Sequence, residues 1–167
     1  MDGYNVIGHW AHLERLKRQS IAHAREQLLE ELADYAAYTG YQTIVVFDAQ
    51  FVKGKESEML FKNMKIVYTE EQTIADEYIE AHARDYINAA TNVIVATSDA
   101  TEQWQIFGQG ALRLSARELL IEIRDMAREV TDEIKTIHTQ TPKLMAAIDP
   151  KTKETLEQWR RGRLPND

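Results

Sequence analysis

The sequence predicts an α/β domain with a mostly parallel central sheet. Three short apolar runs rich in valine and isoleucine alternate with segments whose apolar residues recur at helical spacing. This alternation is typical of βαβ units, in which a helix connects two parallel strands. With 167 residues, the chain is long enough to bury one substantial hydrophobic core.

The individual elements follow from local patterns. Strands are predicted where β-branched apolar runs occur, at residues 43–47, 65–68 and 92–97. Helices are predicted from helical periodicity over residues 20–38, 73–90, 101–107 and 115–138, with a last short helix at 153–161. Gly40 is a common stop signal after the first helix, and Ser115 with Glu118 forms a capping box before the longest one.

Two prolines, Pro142 and Pro150, bracket a looser stretch near the end of the chain. We therefore expect a main domain over residues 1–141 and a C-terminal extension over residues 142–167. The extension would contain the short basic helix, packed on the same domain. Its docking side chains would be Leu156 and Trp159.

The beginning of the chain departs from the usual pattern of a parallel α/β sheet. Such sheets usually open with a full strand, but here only Met1 precedes Asp2 and Gly3. We therefore expect the first strand to be truncated, with Asp2 at the point where that strand would end.

The composition indicates a soluble globular protein and excludes several other kinds of protein and site. Hydrophobic residues make up 44% of the chain and charged residues 28%, which is typical of a soluble globular protein. No apolar run reaches the roughly 18 residues of a membrane span. No signal peptide opens the chain, so a cytoplasmic protein is expected. The absence of cysteine excludes disulfides and thiolate metal sites.

The net charge of −7 argues against binding nucleic acid by bulk positive charge. The charge is divided unevenly, because residues 1–102 contain 9 Lys and Arg against 17 Asp and Glu, and residues 103–167 contain 11 against 10. The acidic part could hold a cation while the other part contacts phosphates. An ordinary solvated surface is the alternative, and on charge alone it is the more common case.

Acidic residues stand at or near the ends of the predicted strands. Asp48 ends the first strand and Asp99 follows the third, while Asp76 and Glu77 begin the helix after the second. Asp2 joins them if it ends a first strand. Because ligands of open α/β sheets bind beyond the carboxyl ends of the strands, we expect these carboxylates to converge.

Carboxylates gathered in one place repel one another, and a divalent cation removes that repulsion. Oxygen ligands favour Mg²⁺ or Mn²⁺ over Zn²⁺, and such a cation supports phosphodiester hydrolysis. Each residue also has a structural explanation, and singly these are the more common. Asp76 could form a capping box with Thr73, Asp99 could cap the next helix, and Asp48 could be a turn residue. Together, the acids indicate a metal or phosphate site.

An ordered set of motifs resembles a known nuclease family. The chain opens with Asp2-Gly-Tyr-Asn5. Further motifs follow at residues 45–48 (VVFD), 73–77 (TIADE), 96–99 (ATSD), 101–111 (TEQWQIFGQGA) and 115–119 (SAREL). Together they resemble the NYN-domain ribonucleases, a branch of the PIN-like nucleases, and among these the bacterial YacP-like proteins. The resemblance covers nearly the whole chain.

This resemblance implies a three-layer PIN-like domain with a long C-terminal helix, and metal-dependent cleavage of single-stranded RNA. It carries over Asp2, Asp76 and Asp99 as the acidic centre that holds Mg²⁺ or Mn²⁺. Glu77 would be an adjacent second acid. Asn5 would be a polar partner that orients the first Asp or a water molecule.

The YacP-like group also implies a substrate and a partner, namely mRNA at the ribosome, in the decoding site. Some NYN nucleases have a further acid where this chain has Gln103, with Glu102 beside it. Whether Glu102 or Asp48 joins the site is left open, as are the number of metal ions and the oligomeric state.

Five further residues are candidates for substrate binding. Lys53 and Lys55 could contact phosphates, although a solvated loop explains them as well. Trp104 could stack on a base, although aromatic side chains are more often simply buried. Arg113 and Arg117 could neutralise phosphate. The five histidines show no metal-binding spacing.

Two rival functions remain open. A noncatalytic ribosome- or RNA-binding module could keep the same fold, and the truncated first strand together with Gln103 favours it. A small phosphatase is the other rival, because a carboxylate cluster at strand ends could also serve phosphomonoesters.

Overall fold

The computed structural model describes residues 1–48, 56–87, 91–98 and 110–147, together with the single positions 149, 152, 155, 156, 158 and 160. The chain divides into two compact units, Met1–Met126 and Ala127–Asp167. The fold is the expected three-layer α/β type. Within the described residues, no helix combines the length and the apolar character that crossing a membrane requires.

The first unit contains the strands and most of the helices. The helices are α1 (Gly3–His9), α2 (Ala11–Gln19), α3 (Ile21–Thr39), α4 (Ala75–Tyr86) and α5 (Ala116–Ala147), the last of which continues into the second unit. The strands are β1 (Thr43–Phe47), β2 (Ser57–Phe61), β3 (Met64–Tyr68), β4 (Ile94–Ala96) and β5 (Leu112–Leu114).

The strand pairing is mostly parallel, as predicted. β1 pairs in parallel with β3, and β4 pairs in parallel with β5. The sequence predicted one central sheet, whereas the described strands form two, a three-stranded one in the order β1-β3-β2 and a two-stranded one of β4 and β5. β2 was not predicted, and it pairs antiparallel to β3. Residues of β2 are largely exposed, so the strand lacks the buried apolar run by which the others are recognised.

Met1 and Asp2 lie beside β1, where a first strand of the sheet is expected. Asp2 forms a parallel bridge with Val46. The backbone N–H of Val46 donates to the Met1 carbonyl oxygen at 2.9 Å, and the Met1 amino group donates to the Ile44 carbonyl oxygen at 2.8 Å. Met1 and Asp2 therefore hold the start of the chain against β1, and Asp2 lies near the carboxyl end of that strand.

Alternate residues of β1 pack in two different hydrophobic cores, so this strand lies in the middle layer of the fold. Val45 and Phe47 pack in a large core with the side chains of α1, α2, α3 and α5. Val46 packs in a smaller core with residues of α4 and β4. Because successive side chains of a strand point to opposite faces, this division places helices on both sides of the sheet.

The helix bounds differ from the predicted ones at several points. α3 matches its prediction closely, with Ser20 as N-cap and Gly40 as a left-handed C-cap. α1 and α2 were not predicted, because the opening was interpreted only as the end of a strand. Trp10 joins α1 to α2 and is fully buried, and its Nε1–H donates to the Ala116 carbonyl oxygen at 2.7 Å.

The end of the long helix was also predicted wrongly. The helix continues past Pro142 to Ala147, whereas the sequence predicted an end near residue 138. Proline lacks a backbone N–H and usually interrupts a helix, but here the turns on both sides of Pro142 continue the helix.

The domain boundary predicted at residue 141 stays a prediction, and so does the docking of the last helix on the main domain. Leu156 and its described neighbours are helical.

Candidate active site

Asp2 is held in place by the first turn of α1. Its Oδ1 atom accepts a hydrogen bond from the Asn5 backbone N–H at 3.0 Å, so Asp2 is the N-cap of this helix. An N-cap side chain satisfies one of the free N–H groups of the first turn. The same carboxylate that caps α1 is therefore fixed at the edge of the sheet, beside the end of β1.

Asp76 comes from the first turn of α4, the helix on the other face of the sheet. Its Oδ1 atom is buried. The N-cap position of α4 is Ile74, which offers no side-chain acceptor, so Asp76 and Thr73 do not form the capping box that the sequence allowed. Asp48 supplies the cap instead, because its Oδ1 atom accepts a hydrogen bond from the Ala75 backbone N–H.

The carboxylates of Asp2, Asp48 and Asp76, called the acidic cluster below, influence one another electrostatically. The pKa of Asp2 is raised to about 6, chiefly by burial, with the hydrogen bond from the Asn5 backbone N–H opposing the rise and the charges of Asp76 and Asp48 adding to it. A negative charge at Asp2 is therefore unfavourable in the protein alone. A divalent cation with oxygen ligands would remove this cost, so the residues present fit Mg²⁺ or Mn²⁺.

Asn5 connects the beginning of the chain to the end of β4. Its Oδ1 atom accepts from the Ser98 backbone N–H at 3.0 Å, and the Ser98 Oγ atom in turn accepts from the Ala116 backbone N–H at 3.1 Å. The side chain of Asn5 thus fixes the residue immediately before Asp99, while its backbone fixes Asp2. Asp99 itself lies outside the described residues.

The other candidate residues are either exposed or lie outside the described residues. Glu77 is exposed and lines a depression on α4 with Glu80 and Arg84. Arg113 and Arg117 are exposed, on β5 and at the start of α5. The remaining candidates, Lys53, Lys55 and Trp104, as well as Glu102 and Gln103, lie outside the described residues.

In the part of the chain that the structure describes, no group of three or more acidic, histidine or cysteine side chains is compact enough to hold a metal ion by itself. The acidic cluster therefore needs the third predicted acid, Asp99, or water molecules to complete a coordination shell. Mg²⁺ commonly keeps several water ligands in proteins, so two or three carboxylates suffice.

Sequence reasoning missed two residues that build the site. Ser98 entered only as part of the motif at residues 96–99, and no local pattern marks its role, because its hydroxyl accepts from the Ala116 N–H, 18 positions away in sequence. Gly3 was not singled out, yet a Cβ atom there would lie 2.2 Å from Cε1 of Phe47. The glycine between Asp2 and Tyr4 thus lets the first turn of α1 approach β1 closely.

The raised pKa of Asp2 predicts an unusual dependence of stability on pH. The pKa is about 6 in the folded protein and 3.8 in a model peptide, so between these values the folded state binds more protons. The free energy of unfolding should therefore fall as pH rises through this window, by roughly 2–3 kcal/mol from this group. The Asp2→Asn variant should not show this loss, since asparagine keeps the capping oxygen but does not titrate.

Urea unfolding of both proteins at pH 4 and pH 7, in the presence of a chelator, measures this effect. We expect Asp2→Asn to gain stability over the wild type on going from pH 4 to pH 7. A difference between the two proteins that stays constant over this range would show that Asp2 titrates normally.

Comparison with known proteins agrees with the fold and covers nearly the whole chain. The YacP-like NYN domain family matches residues 1–161. The YacP protein of Bacillus subtilis (strain 168) is 46% identical over 164 residues, which cover 98% of this chain and 96% of that protein.

Two solved structures are also similar. The crystal structure of Rae1 (YacP) from Bacillus subtilis has a TM-score of 0.72 at 46% identity and covers 96% of this chain and 92% of that one. A tryptophan-to-leucine mutant of the same protein has a TM-score of 0.73 at 39% identity, covering 93% and 95%. The chain therefore belongs to the YacP-like NYN domain family, within the PIN-like nuclease superfamily.

Proposed function

We propose that this protein is an endoribonuclease that cleaves single-stranded RNA with the help of Mg²⁺ or Mn²⁺. The observation that carries the proposal is the acidic cluster, in which the charges of Asp76 on α4 and of Asp48, which follows β1, act on the carboxylate of Asp2 at the start of the chain. Membership of a nuclease superfamily supports the reaction class. The mRNA substrate and action at the ribosome are parts of the proposal that rest on the family resemblance. A cytoplasmic location is also part of the proposal, as expected from the sequence.

The residues divide into ligands and positioning groups. Asp2, Asp76 and Asp99 would hold the cation, and Glu77 would be an additional acid at its edge. A bound divalent cation supplies positive charge for the phosphate oxygens and lowers the pKa of water, which produces a nucleophile at neutral pH.

Asp48 and Asn5 position this centre. Asp48 holds the N-terminus of α4 through the Ala75 N–H, and thereby sets where Asp76 lies. Asn5 holds Ser98, and thereby the end of β4 that leads to Asp99. The proposed ligands come from three separate parts of the chain: its start, the first turn of α4 and the residue after Ser98.

The proposed substrate-binding residues lie near the acidic residues in the sequence. Lys53 and Lys55 follow Asp48, and Trp104 follows Asp99. Arg113 lies on β5, and Arg117 lies in the first turn of α5. Basic side chains would contact phosphates, and Trp104 would stack on a base, which is how single-stranded RNA is usually bound.

The test is cleavage of a labelled single-stranded RNA by the purified chain with Mn²⁺, with Mg²⁺ and with a chelator, first alone and then with translating ribosomes. We expect internal cuts that need the metal. Binding of RNA without metal-dependent cuts in either assay would contradict the proposal and favour a noncatalytic RNA-binding module. Turnover of a simple phosphomonoester without RNA cleavage would favour a phosphatase.

Metal binding has a second readout that does not depend on catalysis. At pH 7, Mn²⁺ should raise the Tm of the wild type, because a ligand that binds the folded state stabilises it. The Asp2→Asn variant should respond much less, since it lacks one ligand. An equal rise of Tm in both proteins would argue against Asp2 as a metal ligand.

A further inference from the structure

A pair of tyrosines lies beside the acidic cluster, at the carboxyl end of β1 and β3. Tyr68 ends β3 and pairs with Phe47, the residue before Asp48. Tyr4 comes from the first turn of α1, and its ring packs edge-on against Phe47 with centroids 5.0 Å apart. The ring of Tyr68 stacks on Phe47 at 5.6 Å. Both tyrosines therefore flank the same buried ring at the edge of the sheet that carries the site.

Arg25 extends from α3 to these two rings. Its Cζ atom lies 5.7 Å from the centroid of the Tyr68 ring. Burial raises the pKa of Tyr4, while the charge of Arg25 and a hydrogen bond with its guanidinium oppose that rise, and the charge of Asp48 adds to it. Tyr4 therefore interacts both with Arg25 and with Asp48 of the acidic cluster.

The guanidinium of Arg25 is held by neutral groups and not by a carboxylate. It forms a side-chain hydrogen bond with the Tyr4 hydroxyl, which uses only part of its five N–H donors. The side chain is partly exposed, and among the described residues no acidic side chain forms an ion pair with it, whereas Arg18 pairs with Glu14 at 2.6 Å. An arginine fixed in this way keeps donors for an external anion such as phosphate.

We propose that Arg25 binds a phosphate group of the RNA backbone next to the acidic cluster, with Tyr4 and Tyr68 holding its guanidinium in position. This inference rests on the proposed action on RNA. A cluster of carboxylates repels a polyanion, so a fixed cation at its rim is needed to bring the backbone close. The planar guanidinium matches two phosphate oxygens, and packing against rings fixes its orientation before the RNA arrives.

The test is binding of a fluorescent single-stranded RNA to the full chain in the presence of a chelator, at several salt concentrations. Arg25→Gln should weaken binding roughly tenfold, which corresponds to about 1.4 kcal/mol. The slope of log affinity against log salt should also become shallower by about 0.7, the value for one phosphate contact on a single strand. The matched control is Arg18→Gln, an exposed arginine paired within its own helix, which should behave like the wild type.

Two further measurements separate this role from a structural one. Arg25→Lys keeps the charge but not the planar fork, so it should keep the salt slope while losing part of the affinity. A purely structural Arg25 would lower the Tm of Arg25→Gln and leave the salt slope of both variants unchanged, and that result would overturn the proposal.

The binding assay also separates this inference from the proposed catalytic function. Because it contains no free metal, an Arg25-dependent salt slope would support the inference even for a protein that never cuts RNA. Conversely, a protein that cuts RNA but binds it equally well without Arg25 would retain its proposed function and overturn this inference alone.

Discussion

Replacing Asp76 by Asn is expected to reduce the rate of RNA cleavage at least about a thousandfold, without unfolding the protein. The carboxylate would be lost as a metal ligand, and a cation contributes several kcal/mol to stabilising the charge that develops on a phosphate. Asparagine has nearly the same shape, so α4 and its cap from Asp48 should be unaffected. Rates at saturating Mn²⁺, together with thermal unfolding, measure both effects.

The electrostatics of the site predict a second effect of the Asp76→Asn substitution, on stability. The charge of Asp76 contributes to the raised pKa of Asp2, so its removal should shift the titration of Asp2 toward lower pH. The metal-free variant should consequently be as stable as the wild type at pH 7, or slightly more stable, since one repulsion has been removed. Loss of activity with retained or increased stability is typical of a residue whose charge serves binding rather than folding.

The matched control is Asp85→Asn, which makes the same chemical change at an exposed position of the same helix. It should cleave at the wild-type rate. If Asp76→Asn retains cleavage within about tenfold of the wild type, Asp76 does not hold the catalytic metal. If both variants lose activity equally, the effect comes from the charge of α4 and not from a specific ligand.

The sequence is most informative where an element is buried on both faces. The bounds of β1 were predicted at 43–47 and are observed at Thr43–Phe47, because the side chains of that run divide between two cores. β2 is largely exposed and β5 has only three residues, so neither produces an apolar run. Both are defined by the neighbouring strand with which they pair, and that information is not local.

The sequence of the N-terminal helices contains a helical pattern that the prediction did not use. Val6, Ile7, Trp10 and Leu13 recur at helical spacing, and all four are fully buried. The interpretation of Asp2 as the end of a strand was compatible with this pattern, because the strand segment occupies only Met1 and Asp2. A helix can begin directly after it, with Asp2 as its cap.

The acidic cluster could be predicted in outline because its members lie near the ends of parallel strands, whereas its role as a metal site stays a prediction. The detailed roles could not, since capping and metal binding use the same residue types. Asp48 is a clear case, because its cap on α4 is made across 27 positions of sequence. Only the packing of α4 against β1 brings the donor and the acceptor together. Asp2 is the N-cap of α1 and also belongs to the acidic cluster.

Replacing Gly3 by alanine is expected to destabilise the protein by about 1–3 kcal/mol and to lower its Tm by roughly 2–4 °C for each kcal/mol. A Cβ atom would lie 2.2 Å from Cε1 and 2.7 Å from Cδ1 and Cζ of Phe47. Phe47 is fully buried between the rings of Tyr4 and Tyr68, so it has little room to move away. The first turn of α1 must shift instead, and Asp2 shifts with it.

The same substitution at Gly8 provides the control, because it lies in the same helix and a Cβ atom there would meet nothing within 4 Å. Gly8→Ala should therefore stabilise the protein by about 0.5–1 kcal/mol through helix propensity alone. In the double variant Gly3→Ala with Phe47→Leu, the smaller side chain makes room, so the combined cost should be less than the sum of the two single costs. If Gly3→Ala is as stable as Gly8→Ala, the close approach of α1 to β1 does not determine where Asp2 lies. Strict additivity of the Gly3 and Phe47 substitutions would lead to the same conclusion, because it would mean that these two residues do not contact each other in solution.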